Sequence, residues 1–131
     1  MDEKMSGSES GKTIGIDRGA SFTDFGVVES GRLVHDLSLE KRDWDSICNA
    51  YEQLAEKYQA GHVVFTGSVS GMPADLKRVA RIIPEIDALG FGGSRLAGFN
   101  ECIVVSIGTA IVHFADNQTI HLYSGSLLEA L

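Results

Sequence analysis

The stretch Ile14-Gly15-Ile16-Asp17-Arg18-Gly19-Ala20-Ser21-Phe22-Thr23-Asp24-Phe25-Gly26-Val27-Val28 decides how this chain folds. An apolar strand runs into an acid, turns on a glycine and small residues, and leaves as a second apolar strand. Such a hairpin suits a phosphate, because Gly19 permits close backbone approach while Ala20 and Ser21 add little bulk around the N–H and hydroxyl donors. On this reading Gly19 holds a backbone conformation costly for other residues, and its amide points into a concavity beside Asp17. Asp17, ending the first strand, is placed to orient a magnesium ion or its water shell. A structural hairpin with a turn acid accounts for the same residues equally well.

Working outward, segments 13–17, 21–28 and 32–39 read as consecutive strands of an antiparallel meander, with Glu29-Ser30-Gly31 as the second turn. From Trp44 the period changes. Trp44, Ile47, Cys48, Tyr51, Leu54, Ala55 and Tyr58 recur at helical spacing, the mark of an amphipathic helix, and Gly61 closes it. Segment 62–66 is a short apolar strand of the kind buried in a parallel sheet, and Thr66-Gly67-Ser68-Val69-Ser70-Gly71 follows as a flexible run. Pro73 starts a short helix reaching about Arg81. Segment 86–97 predicts another helix, packed around Gly90, Gly92 and Gly93. Each glycine costs a helix about 1 kcal/mol relative to alanine, so close backbone approach is expected there. Segment 101–107 reads as a second buried strand, followed by Gly108-Thr109, and 110–115 with 119–123 as a hairpin across Asp116-Asn117-Gln118.

The order β-β-β-α-β-α-α-β-β-β predicts an α/β fold of ribonuclease-H-like type: a mixed sheet combining an antiparallel meander with parallel strands, flanked by helices. Residues 1–11, polar and without periodicity, are expected to be a disordered tail, 12–100 the ribonuclease-H-like lobe, and 101–131 the opening hairpin of an incomplete second lobe.

At 131 residues and 44% hydrophobic composition the chain can bury a real core. Its 18 acids against 11 bases, a formal charge of −7, argue against a nucleic-acid surface, since phosphates would be repelled. Cys48 and Cys102 lie in apolar contexts, read as free thiols, and fit a reducing cytoplasm. No signal-peptide core is present, and no run approaches the roughly 18 apolar residues of a membrane helix, so a cytoplasmic protein without membrane contact is expected. His35, His62, His113 and His121 lack ligand spacing; His113 and His121 can face each other across the last hairpin, yet two ligands are fewer than a metal site normally takes.

Three segments together resemble the actin-like ATPase and sugar-kinase (ASKHA) superfamily, and within it the type II pantothenate kinases. Residues 15–23 are similar to the first phosphate hairpin of those kinases. Thr66-Gly67-Ser68 resembles their Thr-Gly-Gly turn. Pro84-Glu85-Ile86-Asp87-Ala88-Leu89-Gly90-Phe91-Gly92-Gly93, with Leu96-Ala97-Gly98 and Val104-Val105-Ser106-Ile107-Gly108-Thr109, resembles their catalytic helix and the turn opening the second lobe. The likeness spans roughly residues 13 to 125. Three positions depart from the pattern: Arg18 stands where a small or apolar residue is usual, Ala20 replaces a second glycine, and Gly108-Thr109-Ala110 lacks the repeated Gly-Thr. Type III pantothenate kinases share the superfamily and a similar Gly-Thr-Ala turn.

The resemblance implies ATP-dependent phosphoryl transfer to pantothenate. Glu85 would be the base, Asp17 the magnesium organiser, and Gly19, Ser21, Thr23, Thr66, Gly67, Ser68, Gly108 and Thr109 the ATP-phosphate contacts. Arg81 or Arg95 could assist as a phosphate fork. By its residues alone Glu85 is also a helix-first-turn acid complementing the helix dipole. Because the chain stops at Leu131, before a glycine-rich adenine loop, such a kinase lobe is expected to be inactive alone. A second reading is a non-catalytic module that self-associates as a homo-oligomer or binds a partner. A third, an activator of a radical dehydratase with an iron–sulfur cluster between subunits, fits poorly with the positions of Cys48 and Cys102.

Overall fold

A computed structural model of the chain describes residues 11–106 and 110–124, and these divide into two compact units between Ile82 and Ile83. In the first unit β1 (Lys12–Arg18), β2 (Thr23–Glu29) and β3 (Arg32–Leu39) form the meander. Helix α1 (Trp44–Tyr58) crosses to β4 (His62–Gly67), and α2 (Ala74–Val79) to β5 (Ala80–Ile82). The sheet order is β3-β2-β1-β4-β5, antiparallel across β1, β2 and β3 and parallel from β1 to β4 and β4 to β5. It is the mixed ribonuclease-H-like sheet that the element order predicts, with β5 in place of the last turn of the helix expected to reach Arg81.

Period-2 alternation sends Ile14, Ile16, Phe25, Val27, Val63 and Phe65 to one face, where Ile47, Ala50 and Leu54 of α1 cover them. Burying these side chains contributes about 2 kcal/mol each. Helix α1 begins at Asp43, whose carboxylate accepts from the Ser46 amide at 2.9 Å, and ends at Gln59 with a left-handed φ of 52°. The Ser46 hydrogen bonds hold the Asp43 carboxyl below its ordinary pKa. A depressed folded-state pKa means stability that is present above the unfolded value and lost as pH falls through the folded one. Denaturation midpoints are therefore expected to fall below about pH 4, and Asp43→Asn to remove the Asp43 share of that decline.

In the second unit α3 (Glu85–Ala97) packs on the antiparallel sheet β6 (Cys102–Ser106), β7 (Ala110–Ala115) and β8 (Gln118–Ser124). The unit boundary thus groups α3 with these strands, whereas the sequence places 12–100 together. Asp116 and Asn117 both take positive φ, 53° and 58°, the two-residue turn whose twist suits a hairpin. A Cβ on Gly90 would lie 2.2 Å from Thr119 Oγ1, and one on Gly93 2.6 Å from Val104, so two of the three helix glycines serve close approach. Gly92 faces open space. β6 is not the buried strand its composition suggests: Ile103 and Val105 are 63% and 51% exposed, because α3 covers only the face bearing Val104, Val112 and Phe114.

Candidate functional site

Parallel pairing of β1 and β4 joins segments about 50 positions apart: Asp17 stands opposite Thr66 and Arg18 opposite Gly67. The carboxyl ends of these strands therefore bring Asp17, Gly19, Thr66, Gly67 and Ser68 to one edge of the sheet, the edge where ligands bind in parallel α/β sheets. Gly67, with φ 93°, packs its α-carbon onto the Arg18 backbone, where a Cβ would meet the Arg18 carbonyl oxygen at 2.4 Å. The Ser68 amide donates to that same carbonyl at 3.1 Å.

The structure corrects the expected phosphate cradle in two places. Gly19 does not take a positive φ, and its amide donates to the Phe22 carbonyl at 2.9 Å, closing the hairpin instead of facing a ligand. Thr23 is wholly buried, and its hydroxyl donates to the Lys41 carbonyl at 2.8 Å, so it fastens β2 to the segment before α1. Asp17, in the register row of Thr66 and Asp24, faces away from the α1 side, and its Oδ1 is buried. Ser21 is exposed at the hairpin tip.

Arg18, which the sequence marks as a departure from the hairpin pattern with a side chain alternating away from Asp17, organises this edge. Its guanidinium lies 4.2 Å from the centre of the Trp44 ring, and Nε donates to the Arg42 carbonyl at 2.9 Å. Nη1 reaches the Ser70 carbonyl at 3.2 Å and both the carbonyl and the hydroxyl of Ser68 at 3.4 Å. Trp44 in turn donates from Nε1 to the Ser70 carbonyl at 2.9 Å and stacks on Phe65. Arg42 returns the contact, donating from Nε to the Gly19 carbonyl. Burial, and then the nearby Arg42 guanidinium, lower the pKa of Arg18. The signals of this in the sequence were the charge itself and strand alternation, which turns Arg18 away from Asp17.

In the second unit Glu85 is exposed as the first residue of α3, after Pro84. Gly108 and Thr109 lie outside the described residues. Arg81 and Arg95 are exposed. His113 and His121 do not meet: His113 pairs with Ile120 and His121 with Val112, on opposite faces, and His113 Nε2 contacts Glu101 Oε2 at 3.2 Å. Among the described residues no three His, Cys, Asp or Glu side chains gather around a metal-sized space, and no helix is long and apolar enough to cross a membrane. Cys48 and Cys102 are free thiols, and burial pushes that of Cys48 up.

The chain is similar to component A of (R)-2-hydroxyglutaryl-CoA dehydratase from Acidaminococcus fermentans, at 16% identity and TM-score 0.60, over 82% of this chain and 44% of that one. A Ppx/GppA family member from Aquifex aeolicus matches at 13% identity and TM-score 0.60, over 87% and 51%. A ROK family protein from Streptococcus pneumoniae, solved with sucrose, matches at 9% and 0.59, over 88% and 50%. The chain shares its fold with these structures. The chain spans about half the length of these structures. No family model and no curated protein matches it.

Proposed function

We propose that this chain supplies the phosphate-binding half of an ATP-dependent phosphotransfer or ATPase site, the carboxyl ends of β1 and β4 forming the floor beneath the nucleotide phosphates. The observation that carries this reading is the register that sets Asp17 beside Thr66 and Arg18 beside Gly67, in a fold shared with the solved structures named above. A lone carboxylate at the strand end fits magnesium, which keeps most of its water and phosphate ligands and needs one or two protein carboxylates. Asp17 would hold it, directly or through water, and the ion would neutralise charge on the phosphates. Ser21 and Ser68 hydroxyls are the cradle donors that remain, beside Thr66. The acceptor favoured by the resemblance of 84–93 is pantothenate, with Glu85 taking the hydroxyl proton.

Phosphoryl transfer depends almost wholly on positioning. In a chain matching about half of its solved relatives, binding without turnover is the proposed behaviour. Titration calorimetry is expected to show magnesium-ATP binding that Asp17→Asn weakens at least tenfold, with no phosphorylation of pantothenate. Absence of nucleotide binding sinks the reading. Turnover near about one per second, the low end for kinases, that Glu85→Gln abolishes would instead mark a complete enzyme.

Self-association is a second reading, favoured by the open face of the second unit's sheet. Ile103, Val105, Ile120 and Leu122 are each more than half exposed there, and β6 and β8 are edges among the described residues. Light scattering is expected to show a dimer at micromolar concentration, which Ile103→Lys returns to monomer. A wild-type monomer refutes it.

A further inference from the structure

Two guanidinium groups stand at the β1–β4 edge without a carboxylate. Every hydrogen bond that Arg18 and Arg42 make among the described residues goes to a neutral oxygen: carbonyls of Gly19, Arg42, Ser68 and Ser70, and the Ser68 hydroxyl. Neither forms an ion pair there. Asp43, next to Arg42 in sequence, turns its carboxylate to the Ser46 amide. Asp24 accepts from Ser38 at 2.6 Å, and Asp17 lies on the other face of the sheet. Lys41 precedes Arg42 in the sequence, in a chain whose net charge is −7.

An arginine held by neutral carbonyls keeps its full charge, and its planar fork still has N–H groups to give. Arg18 Nη2 and both terminal nitrogens of Arg42 make no hydrogen bond among the described residues. Arg18 Nε reaches the Arg42 carbonyl and the Arg42 charge is close enough to lower the Arg18 pKa, so each like charge lowers the cost of placing an anion beside the other. The backbone donors that would ordinarily cradle a phosphate are already taken, Gly19 by Phe22 and Ser68 by Arg18. The side chains therefore replace the amides as the source of positive charge at this edge.

We infer that the Arg18–Arg42 pair is a phosphate-binding element that works without a divalent metal. The pair lies on the α1 side of the sheet, the face opposite Asp17, so it is an anion site separate from the one proposed there, and it rests on the nucleotide reading only for the source of the phosphate. Arg18 is preorganised by Trp44 and the 68–70 turn, so it loses little freedom when the anion arrives. Arg42, tethered through Nε alone, supplies the second fork.

The test titrates the full chain with inorganic phosphate, pyrophosphate and ADP in excess EDTA, at low and moderate salt, followed by calorimetry and ³¹P resonance. Wild-type protein is expected to bind pyrophosphate without metal and to lose affinity as salt rises. Arg42→Gln keeps an amide donor for Gly19 and is expected to weaken binding at least tenfold, while Arg42→Lys, which keeps charge but not the fork, weakens it less. Thermal melts verify both folds; if Arg42→Gln does not fold, the comparison of Arg42→Lys with wild type decides. ADP binding tighter than pyrophosphate identifies the anion as a nucleotide's, and pyrophosphate binding as tightly as ADP or tighter identifies an inorganic phosphate; both support the pair. Binding that needs magnesium, or that neither variant changes, overturns it. Magnesium-ATP binding lost in Asp17→Asn but untouched in Arg42→Gln would leave the nucleotide reading standing and this inference refuted. Metal-free binding lost in Arg42→Gln, with no binding of magnesium-ATP, would do the reverse.

Discussion

Gly67→Ala is expected to lower stability by about 3 kcal/mol, and the melting midpoint by roughly 10 °C, the largest effect of any single methyl group in the first unit. Two costs add. The backbone at Gly67 has φ 93°, a conformation L side chains rarely adopt, and the new Cβ would sit 2.4 Å from the Arg18 carbonyl oxygen and 2.9 Å from the Arg18 carbon and nitrogen. That neighbour is main chain of the adjacent parallel strand, so relief requires β1 and β4 to part where Ser68 bonds to Arg18. Gly26→Ala is the matched control: its Cβ would meet only the tip of Leu33, a side chain 63% exposed and free to swing away. Its midpoint is expected to change little. Urea denaturation of the two variants gives the comparison, and equal midpoints would mean that the strand ends are looser than this packing implies.

Within α3, Gly90→Ala and Gly93→Ala are each expected to destabilise the second unit by about 2 kcal/mol, while Gly92→Ala stabilises it by up to about 1 kcal/mol. All three changes carry the same gain in helix propensity; only the surroundings differ. At Gly90 the methyl would stand 2.2, 2.7 and 3.0 Å from Thr119 Oγ1, Cγ2 and Cβ, and at Gly93 2.6 Å from both γ-carbons of Val104. Both neighbours are β-branched residues on strands with a restricted χ1, so neither can turn aside without cost. At Gly92 nothing lies within 4 Å. The Gly90→Ala, Thr119→Ala double variant should recover part of the loss, since it removes the two nearest atoms and leaves the third. A coupling energy near zero in that cycle would show that α3 does not rest on β8 at this point.

The helix glycines also show how far a sequence carries. Their cost in a helix signals close approach, and Gly90 and Gly93 make it, but the same reasoning includes Gly92, because glycine looks alike whether it meets a strand or solvent. β5 leaves no trace in the sequence: three residues are too few for a period of two, and Arg81 and Ile82 are exposed. α1 was legible up to its end, since fifteen residues bury one continuous stripe, but its left-handed cap is Gln59 and not the expected Gly61.

By itself the sequence determined the meander, the amphipathic helix, the β4 strand and the glycine–serine turn after it, because alternation, helical spacing and turn chemistry are local. It also singled out Asp17 and Thr66, which the β1–β4 register sets side by side. Tertiary structure alone decided what the site is made of. Strand alternation already puts Asp17 and Arg18 on different sides of the sheet, but which side α1 covers is set by the whole core. The Gly19 amide and the Thr23 hydroxyl look like ligand donors until the hairpin closes and the 41–44 segment folds across, when the nearest acceptors turn out to be Phe22 and Lys41 of the chain itself. A hydrogen bond goes to whatever acceptor packing brings within reach, and that depends on contacts tens of residues away.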